Sequence, residues 1–281
     1  MRELDVSQVT QAVEEMCVAA CYDLPDDVLK AMEKARDVEE SEVGRELLDI
    51  CVENAKVAAR ERVPICQDTG VTVVFLELGQ DLHLVGGDLY EAVAEGVRRG
   101  YTTGYLRKSV VADPLFTRKN TGDNTPPIIY TDIVPGERLK IMVVPKGTGS
   151  ENMSALKMLT PAAGPQGVKK FVVEVVDKAG SNPCPPVIVG VGVGGMMDRA
   201  AVMAKKALLR KVGEPHPEPE VAKLERETLK EINDLGIGPQ GLGGRVTALA
   251  VHIETAPTHI GALPVAVNLQ CHAARHAERV L

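Results

Sequence analysis

One stretch of the chain places a thiol, an amide, a carboxylate and a hydroxyl side by side, in Cys66, Gln67, Asp68 and Thr69. The periodicity of residues 43–60 before it is that of a helix, and the apolar run at residues 71–78 after it is typical of a buried strand. Because Pro64 cannot continue a helix, these polar side chains are expected at the mouth of a helix-to-strand junction. Such a cluster predicts a functional site.

Two other cysteines have a similar setting. Cys184 precedes the apolar run 187–193, and Cys271 directly follows the run 263–270. Three thiols from three loops at the ends of strand-like runs are candidate ligands of one metal centre. The alternative is three cysteines buried as small apolar residues, which free cysteines often are. Dispersed spacing does not decide between the two readings, because it lacks the specificity of a paired CxxC motif.

The remaining cysteines, Cys17, Cys21 and Cys51, fall on the apolar faces of predicted helices and are interpreted as core residues. A chain of this length without an export signal is expected to keep its thiols reduced, so disulfides are not predicted. The formal charge of −7 argues against nucleic acid, which binds basic surfaces. With no long apolar window, the chain is expected to be cytoplasmic and to avoid membranes.

Periodicity predicts seven helices, at residues 5–22, 25–38, 43–60, 88–99, 164–178, 196–211 and 220–234. It predicts strands at 71–78, 187–193, 246–251 and 263–270, and a β-hairpin formed by 128–134 and 139–144. His272 and His276 are assigned to one further helix at the end of the chain, and His252 to a structural role on a strand. The predicted fold is α+β, with helices packed around a small mixed β-sheet and the three cysteine loops meeting at one edge. Residues 1–281 are predicted to form a single domain.

Two glycine-rich motifs allow more than one interpretation. In the motif 146–152, Gly147 and Gly149 free backbone N–H groups to approach an anion, or simply form a turn that binds nothing. A GxGxxG motif at Gly190, Gly192 and Gly195 resembles a dinucleotide fingerprint. The proline-rich sequence after the next helix cannot be the second strand which that fold requires, so nicotinamide binding is not predicted.

Taken together, several motifs closely resemble those of the class I, iron-sulfur fumarate hydratases and their tartrate dehydratase relatives. The matching stretches are residues 66–70, 146–152, 182–186 with 190–195, 258–260 and 270–272. They run in order through nearly the whole chain. The resemblance covers only the amino-terminal half of single-chain family members.

The resemblance implies a 4Fe-4S cluster held by Cys66, Cys184 and Cys271. Three cysteines ligate three corners of the cube and leave one iron open as a Lewis acid. The resemblance also implies roles for five further residues: Asp68 and His259 in catalysis, and Gln67, Arg107 and Gly149 in binding the substrate. A guanidinium at Arg107 suits the two oxygens of a substrate carboxylate.

The implied activity is the reversible hydration of fumarate to (S)-malate. L-Tartrate dehydration and mesaconate hydration are alternatives, because each uses a small dicarboxylate and the same chemistry. A zinc or nicotinamide enzyme is a further alternative. A metal-stabilised structural subunit is another, but it would need a fourth protein ligand, and the sequence offers no convincing fourth cysteine. The chain ends ten residues after Cys271, whereas single-chain members continue into another domain. A separate β subunit that completes the active site, in an α2β2 assembly, is therefore expected.

Overall fold

The computed structural model describes residues 2–281, which divide into two compact units. The first unit comprises the chain up to Leu24, Ala55–Thr148 and Arg275–Leu281. The second comprises Pro25–Asn54 and Gly149–Ala274. The prediction that residues 1–281 act as one domain stays a prediction.

The helices are α1 (Val6–Tyr22), α2 (Asp26–Val38), α3 (Glu42–Glu61), α4 (Leu89–Thr103), α5 (Thr148–Glu151), α6 (Gly164–Ala179), α7 (Met197–Ala207) and α8 (Pro219–Asn233). The strands are β1 (Arg2–Asp5), β2 (Val71–Gly79), β3 (Leu82–Val85), β4 (Ile128–Val134), β5 (Leu139–Lys146), β6 (Ala155–Leu159), β7 (Val187–Gly195), β8 (Ala248–Thr258), β9 (Leu263–Gln270) and β10 (Ala277–Val280). The α+β prediction is confirmed. The helices pack on two four-stranded mixed sheets, together with a two-stranded one, where a single small sheet was expected.

The first unit is built on a sheet with the strand order β10-β5-β2-β4. Apolar side chains of α1 and α4, such as Val13 and Val97, pack against this sheet in one core that includes Val74 and Ile141. Asp88 caps α4, because its side chain accepts the N–H groups of Tyr90 and Glu91 in the first turn. This core holds the start of β2, next to Cys66, in a fixed place.

The predicted hairpin of residues 128–134 and 139–144 is wrong. Both segments are strands, but β2 lies between them, parallel to β4 and antiparallel to β5. The connection through Gly136 therefore crosses over the end of β2, where the Gly79 N–H donates to the Arg138 carbonyl at 2.8 Å. Local turn chemistry identified the strands and their connection, whereas the pairing was decided by β2, which lies far away in the sequence.

The second unit contains a sheet with the order β6-β9-β7-β8. One face packs against α6 and α8, and the other face packs against α7 through small residues such as Ala204 and Ala266. A Cβ at Gly190 or Gly192 would lie 2.1 Å from a carbonyl oxygen of α7. Gly190 and Gly192 therefore allow close packing of α7 on the sheet.

The predicted last helix is also wrong. Residues 271–276 contain no helix, and the chain ends in β10, which pairs antiparallel with β5. Pairing with the edge of an existing sheet satisfies the backbone of residues 277–280, which favours an extended chain at this end over a helix.

Candidate active site

Cys66 lies in the irregular segment between the end of α3 and the start of β2, as predicted. Its side chain is half-buried. The N–H of its neighbour Ile65 donates to the Cys21 carbonyl at 3.0 Å, which anchors the segment to the end of α1. Burial raises the pKa of the Cys21 thiol to about 11, and the nearby Arg275 and Cys66 modify it in opposite directions. Cys66 therefore has a fixed backbone and an accessible thiol.

The turn at Gly70 sets the position of Asp68. Gly70 has φ +73°, and a Cβ there would lie 2.4 Å from the carbonyl of Lys146. This close approach brings the end of β5 beside Asp68, so that the Thr148 N–H donates to Asp68 Oδ2 at 2.9 Å and the Gly70 N–H donates to Oδ1 at 3.1 Å. Both carboxylate oxygens of Asp68 are thereby held in place.

Arg107 meets the same segment. Its Nη1 donates to Gln67 Oε1 at 2.6 Å, and the Thr69 hydroxyl donates to the Arg107 carbonyl at 2.9 Å. The Arg107 side chain is exposed and the Asp68 side chain is half-buried. Three of the predicted site residues, Gln67, Asp68 and Arg107, are thus brought together within the first unit.

Two buried cations at this place were missed by the sequence reasoning. Arg275 is 1% exposed, and its Nη2 donates to the Asp68 carbonyl at 2.7 Å. Lys146 is 3% exposed and lies at the end of β5, where it is the first residue of the glycine-rich motif. Burying a cation is costly unless polar groups compensate it, so such residues often mark a functional or organising centre. The position of Arg275, four residues after Cys271, was a usable signal, but its segment was predicted as helix.

In the second unit, Cys184 and Cys271 lie at the same edge of the sheet. Because β7 and β9 are antiparallel, Ile188 at the start of β7 is opposite Gln270 at the end of β9. The His272 N–H donates to the Cys184 carbonyl at 3.3 Å, which connects the two cysteine loops directly. Cys184 is exposed and Cys271 is half-buried.

Gln240 supports the Cys184 loop. Its backbone N–H and its Nε2 both donate to the Pro185 carbonyl, at 2.8 and 2.7 Å. The same Nε2 lies 3.8 Å from the sulfur of Cys51. The pKa of Cys51 is raised to about 11, first by burial and then by the proximity of Cys184 and Cys271. Cys51 is a core residue, as predicted, and is also a neighbour of both cysteine loops.

Gly149 is exposed in the short helix α5, where a Cβ would lie 3.5 Å from the carbonyl of Asn182 in the loop before Cys184. The following Glu151 anchors this segment, because its carboxylate accepts Lys205 Nζ at 2.6 Å and Asn268 Nδ2 at 2.9 Å. Asn268 lies on β9, three residues before Cys271. The glycine-rich motif is therefore fixed to the strand that leads to a proposed ligand.

His259 lies elsewhere in the second unit. It follows β8, and since β8 is parallel to β7, it lies at the end of the sheet opposite Cys184 and Cys271. With nine residues in β7 and a rise of about 3.3 Å per residue, the two ends are about 26 Å apart. His259 is exposed, accepts the Gly261 N–H at Nδ1 over 3.1 Å, and lines a cavity of about 650 Å³ with apolar neighbours such as Ile260.

The thiols fit the chemistry of an iron-sulfur cluster, which cysteine thiolates ligate. All six cysteines are free, and the three proposed ligands are accessible at least in part, whereas Cys17, Cys21 and Cys51 are buried. Cys66 belongs to the first unit, and Cys184 and Cys271 to the second. Within the described part of the chain, no three histidine, cysteine or acidic side chains are grouped to hold a single metal ion. Every helix of residues 2–281 is too short or too polar to cross a membrane.

Comparison with known proteins identifies the class. The model of the fumarate hydratase (Fumerase) family matches residues 10–280, and the chain belongs to this family of hydro-lyases. A putative L(+)-tartrate dehydratase subunit alpha of Methanocaldococcus jannaschii is 46% identical over 276 residues, which cover 96% of each chain. The L(+)-tartrate dehydratase subunit alpha of Escherichia coli K12 is 35% identical over 272 residues, or 96% of this chain and 89% of that protein.

Proposed function

We propose that this chain is the cluster-carrying subunit of a two-subunit hydro-lyase that interconverts fumarate and (S)-malate. The observation that carries the proposal is the constellation of Gln67, Asp68 and Arg107 at the Cys66 junction. A second candidate activity, the dehydration of L-tartrate, is favoured by the names of the relatives at 46% and 35% identity. Both reactions use a small dicarboxylate and both add or remove water.

Cys66, Cys184 and Cys271 are the proposed ligands of a 4Fe-4S cluster. When bound, such a cluster supplies a Lewis acid at the one iron that no cysteine ligates. The support is the accessibility of these three thiols and the backbone hydrogen bond that connects the Cys184 and Cys271 loops.

The side chains of the first unit have complementary roles in this proposal. Arg107 binds a substrate carboxylate with its planar guanidinium, which has five N–H donors, of which Nη1 already contacts Gln67. Gln67 thus orients both Arg107 and the substrate. Asp68 transfers a proton to or from the reacting substrate, and its fixed oxygens reduce the reorganisation that this step requires.

In the second unit, the exposed backbone of Gly149 is proposed to donate an N–H to the substrate. For His259 the support is the sequence resemblance and not the geometry, because this residue lies at the sheet end opposite Cys184 and Cys271. A His259→Gln variant tests its role. We expect kcat/KM to fall with the cluster absorbance intact, and an unchanged kcat/KM would remove His259 from the site.

A β subunit is proposed to complete the site, in an α2β2 assembly. The relatives are named as alpha subunits, and this chain spans 96% and 89% of their lengths. A dicarboxylate has two negative charges, and the constellation around Asp68 presents one exposed cation, Arg107. Further cations from a partner would neutralise the second carboxylate. Symmetric assemblies are the usual form of such complexes.

The test is anaerobic reconstitution of the cluster in this chain, followed by assays with and without the β subunit on fumarate, L-tartrate and mesaconate. We expect a brown protein that turns over one of these substrates only in the complex.

Asp68→Asn should lower kcat by about 100-fold or more, and Arg107→Lys should raise KM. Arg138→Lys, on the β4–β5 connection, is the matched control. A complex that keeps its cluster and turns over none of the three substrates would refute the hydro-lyase and favour a structural subunit. Full activity of the chain alone would refute the two-subunit proposal.

A further inference from the structure

Residues 110–121 of the first unit form a largely exposed loop that is closed by one antiparallel β-bridge, and we call this loop the finger. Val111 and Asn120 form an antiparallel bridge. The Ala112 N–H donates to the Lys119 carbonyl and the Thr121 N–H donates to the Val110 carbonyl, both at 2.9 Å. The finger is therefore an ordered element, although it has no place in the sheets described above.

The tip of the finger exposes two large apolar side chains. Leu115 is 76% exposed and the adjacent Phe116 is 87% exposed. Single exposed apolar residues are common on protein surfaces. Here two adjacent residues expose a leucine and an aromatic side chain at the turn of an exposed loop. Aromatic residues are enriched among those that dominate binding energy.

The tip is held in this form by Asp113. Its carboxylate accepts the N–H groups of Thr117 at 2.6 Å, Leu115 at 2.9 Å and Phe116 at 3.2 Å. These hydrogen bonds lower the pKa of Asp113 to about 2, and the bond from the Thr117 N–H has the largest effect. The backbone beneath Leu115 and Phe116 is thereby fixed, so a partner would not have to order it on binding.

The base of the finger is tied to the candidate active site. Asn124 is fully buried; its Oδ1 accepts the Ser109 N–H at 2.7 Å, and its Nδ2 donates to the Gly70 carbonyl at 3.2 Å. Gly70 also fixes Asp68, and Arg107 lies three residues before the finger. The finger is thus continuous with the segments that carry the proposed substrate-binding groups.

The finger and the residues just before it are cationic. Residues 107–119 contain four basic side chains, Arg107, Lys108, Arg118 and Lys119, and one carboxylate, Asp113, in a chain of formal charge −7. A partner that binds the tip would therefore be expected to present an apolar pocket with an acidic rim.

We propose that the finger is the element through which this chain docks to its β subunit, with Leu115 and Phe116 inserted into an apolar, acid-rimmed pocket of that subunit. This inference rests on the proposed two-subunit function. The site that the β subunit is proposed to complete includes Arg107, three residues before the finger. A partner that closes over this site would therefore meet the finger, which favours the β subunit over a second copy as the occupant.

The experiment measures the Kd between the cluster-loaded chain and the purified β subunit. We expect the Leu115→Ser/Phe116→Ser double variant to bind about 100-fold more weakly, because two buried anchors are lost. Ile133→Ser, which replaces an apolar residue that is 73% exposed on β4, is the matched control and should change Kd by less than about 3-fold. Asp113→Ala keeps both anchors but frees the tip, and should weaken binding by about 10-fold. At saturating β subunit the double variant should regain the wild-type kcat, since its residues anchor the partner and do not contact substrate.

Several results would overturn the inference. Binding of the double variant within about 3-fold of the wild type, with the same unfolding midpoint, would show that the tip is not an anchor. A lower kcat at saturation would place the tip in the chemistry. Loss of self-association with unchanged β affinity would make a second copy the occupant, and a wild-type chain that does not bind the β subunit would refute docking outright. If the complex forms through the tip but turns over no dicarboxylate, docking stands and the proposed function fails.

Discussion

Replacing Gly70 by alanine tests whether close backbone contact at the Asp68 turn holds the candidate site together. Gly70 has φ +73°, and the added methyl would lie 2.4 Å from the carbonyl carbon and oxygen of Lys146. Neither of these is the end of a flexible side chain, so β5 or the turn must move. The Gly70 N–H bond to Asp68 Oδ1 moves with it.

Gly122 provides the matched control, since it has φ +85° and nothing lies within 4 Å of an added Cβ. Both alanine variants carry the strain of a left-handed L-residue, roughly 1–2 kcal/mol. Both also lose about the same unfolded-state entropy. Only Gly70→Ala adds overpacking, which costs about 1–3 kcal/mol more. The difference between the two variants therefore isolates the contact with Lys146.

The assay is urea unfolding of the cluster-free chain at pH 7, followed by circular dichroism. With a slope near 2 kcal/mol per molar urea, Gly70→Ala should unfold at about 0.5–1.5 M lower urea than Gly122→Ala. In the reconstituted complex, Gly70→Ala should also lose activity, while Gly122→Ala keeps it. Equal unfolding midpoints for the two variants would refute the reasoning, because the contact would then contribute nothing.

Three further predictions concern the second unit. Lys205→Met should lower the free energy of unfolding by about 1 kcal/mol, since it removes a 2.6 Å ion pair with Glu151 in which the lysine side chain is only 13% exposed. Lys170→Met is the control and should have no measurable effect, because the lysine of its pair with Glu174 is 79% exposed. Burial, followed by the charge of a nearby arginine, lowers the pKa of His252 to about 4, so the unfolded chain binds this proton at higher pH than the folded chain does. Stability should then fall as pH drops from about 6.5 towards 4, with about 2 kcal/mol lost at pH 5, and His252→Gln should lack this part of the loss in urea titrations at pH 5 and 7. Iodoacetamide should modify the exposed Cys184 of the cluster-free chain long before the buried Cys51, whose pKa is about 11. Mass spectrometry of timed digests measures the order of modification, and the opposite order would show that the assignment of exposure is wrong.

The sequence by itself determined the elements whose signals are local. The helix predicted at 5–22 is α1, and the strand predicted at 263–270 is β9, because continuous apolar periodicity reflects burial of one face. The junction of Cys66 and Asp68 was likewise placed correctly between a helix and a strand. Proline and the change of period act over a few residues and need no partner.

Strand pairing and the end of the chain were decided by tertiary structure. Residues 128–134 and 139–144 look like a hairpin from either side of their turn, yet β2 inserts between them and forms hydrogen bonds with both strands. His272 and His276 were assigned to a helix, yet the chain continues from them into β10, to which β5 offers an open edge. In both cases the competing partner lies far away in sequence, where no local pattern records it.

The site divides in the same way. The residue types at positions 66–69 suggest the proposed chemistry locally. Only the fold brings Arg107 to Gln67 across forty positions and Arg275 to Asp68 across more than two hundred. The same fold separates His259 from Cys184, because β7 and β8 run parallel and His259 follows the far end of β8. Side-chain type reports which reaction a residue can perform, whereas strand direction and backbone contact decide which residues can perform it together.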